Sequence, residues 1–565
     1  MEKTSRAWTR FIPVLQWLRH YDLTWFRFDL VAGLTLAAYA IPVSMAYATL
    51  AGLPPQHGIY CYFLGGLGYA VFGSSRQLAI GPTSAIGLLV GSTIAGMAGG
   101  DAARWADIAA LTALMVSVVS LLAWMLRVSG LVSFISETVL IGFKAGAALT
   151  IASTQLPKLF GVTGGGDNFF ERIWILTLQF RDRNLTVLIF GLCALALLIL
   201  GNRFLPQRPV ALFVVILATV IMSTTSLEKA GVPVVGTIQA GLPTFRLPAL
   251  RMRDVDGVLP LSIACFLLAY IEGISAARAL AAVHDEEVNA RQELLALGVA
   301  NLAAALGQGF PVAGGLSQSA VNDKAGAKTS LSLVIASAAL AGCLLFLTSL
   351  LRSLPTVVLA AIVLVAVSGL IDLKGLLVLR QVSRREFRIA MIALVGVLLF
   401  GILKGVLLAA ITSFFLLLAG VATPSIAFLG RIPGSGRFSS LERHPDNESI
   451  PGVLIVRPES SLLYFNVDHV RRVVWERVLT VSDLRLLICD LSNSPIVDVA
   501  GGRMLAGLHA ELFKRHIKIR IVESHAKVRD LLRALGLEEK TGYLGRHLSI
   551  DQALVEESQG WNTQY

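Results

Sequence analysis

The sequence predicts a polytopic α-helical membrane protein of about fourteen apolar segments, followed by a small cytoplasmic α/β domain. Three observations carry that prediction. Of 565 residues, 55% are hydrophobic and only 15% charged, against about 25% charged in a typical soluble domain, and mean hydropathy is +0.70. Apolar runs separated by short polar loops fill the chain up to Thr423. Beyond it, strand-like and helix-like runs alternate, the pattern of an α/β fold.

Charge and chemistry narrow the function classes. The formal net charge is +11, but lysine plus arginine nearly balances aspartate plus glutamate after Thr423. The excess therefore sits among the apolar runs, where basic cytoplasmic loops account for it, and nucleic acid is not an expected partner. Cys61, Cys193, Cys265, Cys343 and Cys489 lie far apart in apolar surroundings, without disulfide or zinc spacing. The sequence offers no nucleophile–base pair, metal cluster or nucleotide loop, so neither an enzyme nor a cofactor is expected.

Residues 1–27 read as a basic, amphipathic cytoplasmic segment without a cleavable signal pattern. Residues 28–423 form the membrane domain, with runs at roughly 29–48, 57–73, 82–98, 106–126, 133–154, 185–201, 209–225, 257–274, 292–306, 315–323, 329–351, 354–371, 386–402 and 405–422. Several are too short to cross about 30 Å of hydrocarbon alone. Two are interrupted: Leu78–Ala85 (LAIGPTSA) and Gly309–Asn322 (GFPVAGGLSQSAVN). Broken backbone at membrane depth is tolerated only against protein or a water-filled cavity. A pair of such breaks in corresponding halves points to a transporter's substrate site, and helix N-termini entering from them suit an anion.

Arg127, Arg203, Arg208, Arg380, Arg384, Arg385 and Arg388 fall on the side of the basic N-terminus, whereas loop 157–184, with Lys158, Arg172, Arg181 and Arg183, breaks the pattern. An even span count puts both termini in the cytoplasm, with an inner (plasma) membrane as the default location and lipid as the surrounding partner. Residues 424–450 are polar and rich in Gly, Pro and Ser, a linker pattern. In residues 451–560, strands are expected at Gly452–Val456, Leu462–Phe465, Leu486–Asp490 and Ile517–Val522. Helices are expected at Val467–Val481, Gly501–Lys514 and Lys527–Leu535.

The runs DLVAGLTLAAYAIPVSMAYATLAGLPPQHGIY, GSSRQLAIGPTSA, EGISAARALA and GFPVAGGLSQSAVNDKAGAKT together resemble the SulP family of sulfate-permease-type anion transporters. The C-terminal region resembles the STAS domain. The resemblance spans nearly the whole chain. It implies a uracil-permease-like fold of two inverted seven-segment repeats, a core domain moving against a gate domain, and a homodimer. It also places the anion between the N-termini of the third and tenth segments. Carried over, the binding residues are Pro82, Thr83, Ser84, Gly315, Leu316, Ser317, Gln318 and Ser319, with Tyr39 and Tyr47 of the first segment lining the cavity. The hydroxyls of Thr83, Ser84, Ser317 and Ser319 can donate to an oxyanion. The chain departs from the family at Val43, where Gln or Glu often follows the proline. It departs again at Gln318, where some animal members carry arginine.

Glu272 matches the family's acidic coupling position. An unpaired intramembrane carboxylate costs roughly 2.5 kcal/mol or more, so it either carries H+ or Na+ or is a static partner of Arg278 or a backbone donor. Lys144 stands some eleven residues into its run, roughly 16 Å along a helix; it faces the aqueous path or pairs with Glu137 or another acid. Arg76 reads as a loop anchor, Asn322 and Asp323 as chain-turning residues, and His57 as a packing residue. In the STAS-like region, Val499 stands where the anti-sigma-factor antagonists that share this domain carry a phosphoserine after the aspartate equivalent to Asp498, so that switch is not expected; Ser492 and Ser494 remain weak candidates. The reading is a secondary active anion transporter. Its expected substrate is sulfate taken up with H+ or Na+ by alternating access, with bicarbonate second, C4-dicarboxylates third and anion exchange as the alternative mode.

Overall fold

The computed structural model describes residues 13–19, 21–127, 137–166, 168–205, 209–225, 227–236, 238–545 and 548–562. Residues 1–12 and 20 of the expected N-terminal amphipathic segment, and Arg208, lie outside the described residues. The chain divides into two compact units, Met1–Ser413 and Phe414–Tyr565.

The first unit is helical. Its first half holds α1 (Phe26–Leu50), α2 (Gln56–Phe72), a two-residue strand β1 (Ile80–Gly81), α3 (Ser84–Ala98), α4 (Ala102–Met125), α5 (Glu137–Phe160), α6 (Phe169–Leu178), α7 (Leu185–Phe204) and α8 (Val210–Thr224). The second half repeats the plan with α9 (Met252–His284), α10 (Ala290–Leu306), β2 (Ala313–Gly314), α11 (Leu316–Lys324), α12 (Leu331–Gly342), α13 (Thr356–Ser368), α14 (Leu373–Val382), α15 (Arg384–Phe400) and α16 (Ile402–Ala422). Among the described residues six helices are long and apolar enough to cross a membrane. Most of the remaining apolar runs make shorter helices, because the chain breaks or turns inside them, while α16 runs for 21 residues.

Local chemistry sets many of these ends. The Asp101 carboxylate accepts from the amides of Ala103 and Arg104 at the start of α4, and Asn184 and Asn289 cap α7 and α10 in the same way. Gly99, at φ +61°, closes α3.

The helices pack as two groups. One gathers α1–α4 with α9–α12, and in it α10 lies against both α4 and α2 while α12 lies against α1 and α2. The other gathers α5, α7 and α8 with α13 and α15. They meet where α1 touches α8 and α13, and where α3 touches α5. In the second group α5 and α15 cross at backbone contact: a Cβ on Gly142 would stand 1.9 Å from the carbonyl oxygen of Ala390. Around them Ile189, Leu192, Phe213, Ile216 and Val220 are exposed, a face suited to lipid.

Two buried carboxylates, which hydropathy alone does not account for, hold the chain on either side of the breaks. Asp29 on α1 accepts from the amides of Lys328 and Thr329 at 2.7 and 3.0 Å and from the Thr329 hydroxyl at 2.7 Å. Glu293 on α10 accepts from the Ser74 amide and hydroxyl at 2.9 and 2.6 Å and from the Tyr69 hydroxyl at 3.0 Å. The first anchors the chain just after α11 and the second just before β1. Each exchanges lost hydration for several directed donors.

The second unit is a five-stranded sheet ordered β4-β3-β5-β6-β7, from β3 (Ile426–Arg431), β4 (Phe438–Ser440), β5 (Val453–Pro458), β6 (Leu486–Asp490) and β7 (Lys518–Val522). β5, β6 and β7 run parallel, whereas β3 is antiparallel to both β4 and β5. Helices α17 (Val467–Thr480), α18 (Val499–Phe513) and α19 (Ala526–Ala534) contribute to the core on one face. A short α20 (Glu538–Thr541) follows, and α21 (Ile550–Asn562) contributes Ile550 and Ala553 to the core on the other face. Strands covered on both sides read as continuous apolar runs, and LLICD is buried throughout.

Two expectations need correction here. The stretch 424–450 is not a linker: Ile426–Arg431 and Phe438–Ser440 form a hairpin on the edge of the sheet, and the Gly, Pro and Ser residues between them make its turn. Leu462–Phe465 is not a strand; Leu462 makes one isolated bridge to Val497 before the chain turns into α17. Asp498 caps α18 by accepting from Gly501 and also accepts from the Tyr464 amide, both at 2.8 Å. Ser494 is buried and donates to the Ser460 carbonyl, so its hydroxyl is committed to the fold.

Burial, reinforced by the neighbouring Asp490 carboxylate, pushes the Cys489 thiol up to about 12, and the thiolate is the reactive form. Iodoacetamide at pH 8 is therefore expected to leave Cys489 unmodified in the folded protein and to alkylate it after unfolding. Peptide mass mapping of the two samples checks this; modification of the folded protein at that residue would show an open β6.

Candidate functional site

Strands β1 and β2 come from opposite halves of the first unit and pair antiparallel, Ile80 with Gly314 and Gly81 with Ala313. This small bridge aims two helix starts at one place. Thr83 at the head of α3 and Gly315 at the head of α11 are both extended, and neither start has a side-chain cap. The first amides that bond back within these helices are those of Gly87 and Ser319. Residues 84–86 and 316–318 thus offer amides at the positive ends of two helix dipoles.

The break is held open by side chains from the same group of helices. The Gln318 Nε2 donates to the carbonyls of Ala79 and Ala313 at 3.0 and 3.1 Å. The Ser319 hydroxyl accepts from the Ala79 amide at 2.9 Å and donates to Gly315 at 2.7 Å. Asn301 of α10 accepts from the Val312 amide and donates to its carbonyl, and Asn322 donates to Gln77. Helix α9 passes so close that a Cβ on Gly314 would lie 2.9 Å from the Cα of Gly273, which sets the neighbouring Glu272 beside the break.

In front of the two helix starts lies a cavity of about 970 Å³. Of the residues expected there, Tyr39, Tyr47, Pro82, Thr83, Ser84, Gly315, Leu316, Ser317, Gln318 and Glu272 line it. Ser319 does not: it is fully buried behind the break, with its hydroxyl engaged by Ala79 and Gly315. Gln318 borders the cavity, but its amide nitrogen is engaged by the two strands. The Thr83 hydroxyl is buried and has no hydrogen-bond partner among the described residues, so a donor or acceptor at the helix start is available to a guest.

Four charged side chains line the same space: Glu272 and Arg278 from α9, Lys144 from α5, and Asp372, whose carboxylate also accepts from Gly375 at the start of α14. Among the described residues Glu272 makes no ion pair, so the static pairing with Arg278 is not formed. Lys144 faces the same space from the other group of helices. The side chain of Glu137, the other acid considered for Lys144, lies outside the described residues. Ile271, Ser275 and Arg278 follow one another at helical spacing on the cavity face of α9. Neither Ser275 nor Arg278 is among the expected cavity residues, and that spacing from Glu272 and Ile271 is the signal that could have found them. Asp372 carried no such signal, because a loop places it.

The remaining candidates lie elsewhere. Arg76 pairs with Glu286 at 3.6 Å and Asp323 with His284 at 2.5 Å. His57 sits edge-on to Tyr60, with its Nδ1 2.6 Å from the Gln308 carbonyl. The first pair joins two loops, the second the ends of α11 and α9, and the third the start of α2 to the turn after α10. Among the described residues, no cluster of His, Cys, Asp and Glu could hold a metal ion.

Crossed half-helices, a polar cavity between two helical groups and an appended sheet domain define a multi-pass membrane transporter, not an enzyme. Residues 26–393 match the profile of the Sulfate permease family and residues 444–553 that of the STAS domain. The chain belongs to the sulfate permease family. It is 35% identical over 544 residues to a protein of Mycobacterium tuberculosis named a probable sulfate transporter, covering 95% of this chain and 96% of that one. The murine solute carrier 26 family member A9 anion transporter in its inward-facing state superposes with a TM-score of 0.89 at 23% identity, over 97% of this chain and 94% of that one. The transmembrane domain of the cyanobacterial bicarbonate transporter BicA superposes with a TM-score of 0.60 at 23% identity, over 70% of this chain and 98% of that one. These likenesses carry the fold: helices in two halves plus a STAS domain.

Proposed function

We propose that this protein takes up sulfate by alternating access, driven by a co-transported H+, with Na+ as the second choice of coupling ion. The observation that carries the reading is Glu272, a carboxylate without an ion pair among the described residues, which lines the cavity in front of the two helix starts. Bringing a dianion into a cell held at −100 mV costs about 4.6 kcal/mol, from about 2.3 kcal/mol per charge, so accumulation requires a cation on the same carrier. Around Glu272 stand Lys144, Arg278, Asp372, Tyr39, Tyr47 and Tyr270. With both carboxylates ionised the four charged side chains sum to zero, and one proton on Glu272 leaves the cavity positive. Protonation and anion entry thereby favour each other.

In this reading α1–α4 and α9–α12 carry the anion past the group of α5, α7, α8, α13 and α15. The binding groups are Thr83, Ser84, Ser317 and the amides of residues 84–86 and 316–318, in a homodimer of an inner membrane with both termini cytoplasmic. Sulfate comes first because a relative that is similar over nearly the full chain is named a probable sulfate transporter. Bicarbonate is the rival, on the BicA-like fold, and exchange of anions is the alternative mode. Radiolabelled uptake into proteoliposomes separates these. Sulfate accumulation under an inward proton gradient, and not without one, is the expected result. Accumulation of bicarbonate with sodium in place of both would overturn the substrate and the coupling ion together.

A further inference from the structure

Family resemblance leaves the cavity without a fixed positive charge beside Ser317, since Gln318 stands there and its amide is engaged in bridging β1 and β2. The helix starts supply only partial charges, about half a unit each. A full positive charge does line the same space from the opposite group of helices. Lys144 stands on α5, and Leu140, Ile141 and Lys144 together turn one helical face toward the cavity.

The orientation of that face is locked. Gly142 and Gly146 lie on the opposite side of α5, where added Cβ atoms would stand 1.9 Å from the Ala390 carbonyl oxygen and 2.7 Å from that of Leu394. With its back in backbone contact with α15, α5 cannot rotate Lys144 away from the cavity. Among the described residues Lys144 makes no hydrogen bond or ion pair, although it is close enough to act on Glu272. Lys144 is part-buried on the cavity wall, so an anion in the cavity can reach its ammonium group.

We propose that Lys144 is the anion ligand contributed by the α5 side of the cavity, and that it sets both the affinity and the preference for a divalent over a monovalent anion. The inference rests on the anion-carrier reading above and extends it. With the cavity empty, Lys144 balances Glu272 across the water. With an anion bound, it becomes a direct cationic partner from the face opposite the two helix starts, so the substrate bridges the two helical groups.

The test uses the full-length protein in proteoliposomes as wild type, Lys144→Met and Lys144→Arg. Sulfate uptake is measured against concentration, alone and with chloride as monovalent competitor, and thermal unfolding is followed with and without sulfate. Lys144→Met is expected to raise the half-saturating sulfate concentration about ten- to one-hundred-fold, the worth of one charge-assisted contact. It is also expected to weaken the preference for sulfate over chloride and to remove the stabilisation by sulfate, while the unliganded protein melts as before. Lys144→Arg is expected to restore most of the affinity. An unchanged half-saturation in Lys144→Met overturns the inference, and so does a loss confined to unliganded stability, which would make Lys144 a packing residue. A wild type that carries bicarbonate and not sulfate overturns the substrate reading alone; the same three proteins compared on bicarbonate then decide the role of Lys144. A wild type that carries neither overturns both.

Discussion

Replacing Glu272 with glutamine is expected to abolish proton-driven sulfate accumulation while leaving sulfate binding and sulfate–sulfate exchange within a few-fold of wild type. Glutamine keeps the size and polarity of the side chain and fixes the neutral state. The cavity then stays in the charge condition that favours the anion, with Lys144 and Arg278 opposed only by Asp372. What is lost is the return step, in which the protonated carboxyl gives its proton up and the empty carrier, ionised again at this position, resets. A gradient of one pH unit supplies about 1.4 kcal/mol per proton, and a carrier that cannot release a proton gains none of it. Uptake measured in proteoliposomes with and without the gradient, alongside exchange at equal pH, separates these steps. A mutant that still accumulates sulfate in proportion to the gradient would return Glu272 to a static role and move the coupling to another group. A mutant that also loses exchange would instead make Glu272 a positioning residue for the site.

The second large effect is on the fold itself. Gly142→Ala places a methyl carbon 1.9 Å from the Ala390 carbonyl oxygen, 2.6 Å from its carbon and 2.8 Å from its Cα. Every one of these neighbours is backbone, so no side chain can swing aside, and α5 and α15 have to separate by more than an ångström. Overpacking of this kind costs about 3 kcal/mol or more when the surroundings cannot yield. Gly142→Ala is therefore expected to lower the unfolding temperature in detergent clearly and to weaken anion affinity, because the helix that moves carries Lys144. Gly96, on α3, supplies the control: an added Cβ there meets nothing within 4 Å, and Gly96→Ala is expected to be neutral or slightly stabilising through its effect on the unfolded chain. Equal unfolding temperatures for the two variants would contradict the close crossing of α5 and α15.

What the sequence determined by itself was whatever local pattern can encode. Long apolar runs specify membrane spans because the hydrocarbon thickness demands about twenty residues per crossing. Gly-Pro and Gly-Gly inside two such runs mark the breaks because they end hydrogen-bonded helix. Alternating strand and helix runs after Thr423 specify an α/β domain. Composition misled where it was asked for topology: Gly, Pro and Ser in 424–450 signalled a turn, and the same residues serve a hairpin turn as readily as a linker.

The tertiary structure alone decided which polar groups face the cavity. Gln318 and Ser319 stand in one motif with Ser317, yet they are drawn to Ala79, about 240 positions earlier in the chain, while Ser317 borders the cavity. Asp29 and Glu293 look like misplaced charges until the loops at Thr329 and Ser74 fold onto them. The sequence left Lys144 between the aqueous path and an acidic partner; in the fold it lines the cavity, and the contact of Gly142 with α15 sets the rotation of its helix. Helical periodicity says which residues share a face. Only packing against elements hundreds of residues away says what that face meets, because a buried polar group is stable only where the whole fold brings it a partner.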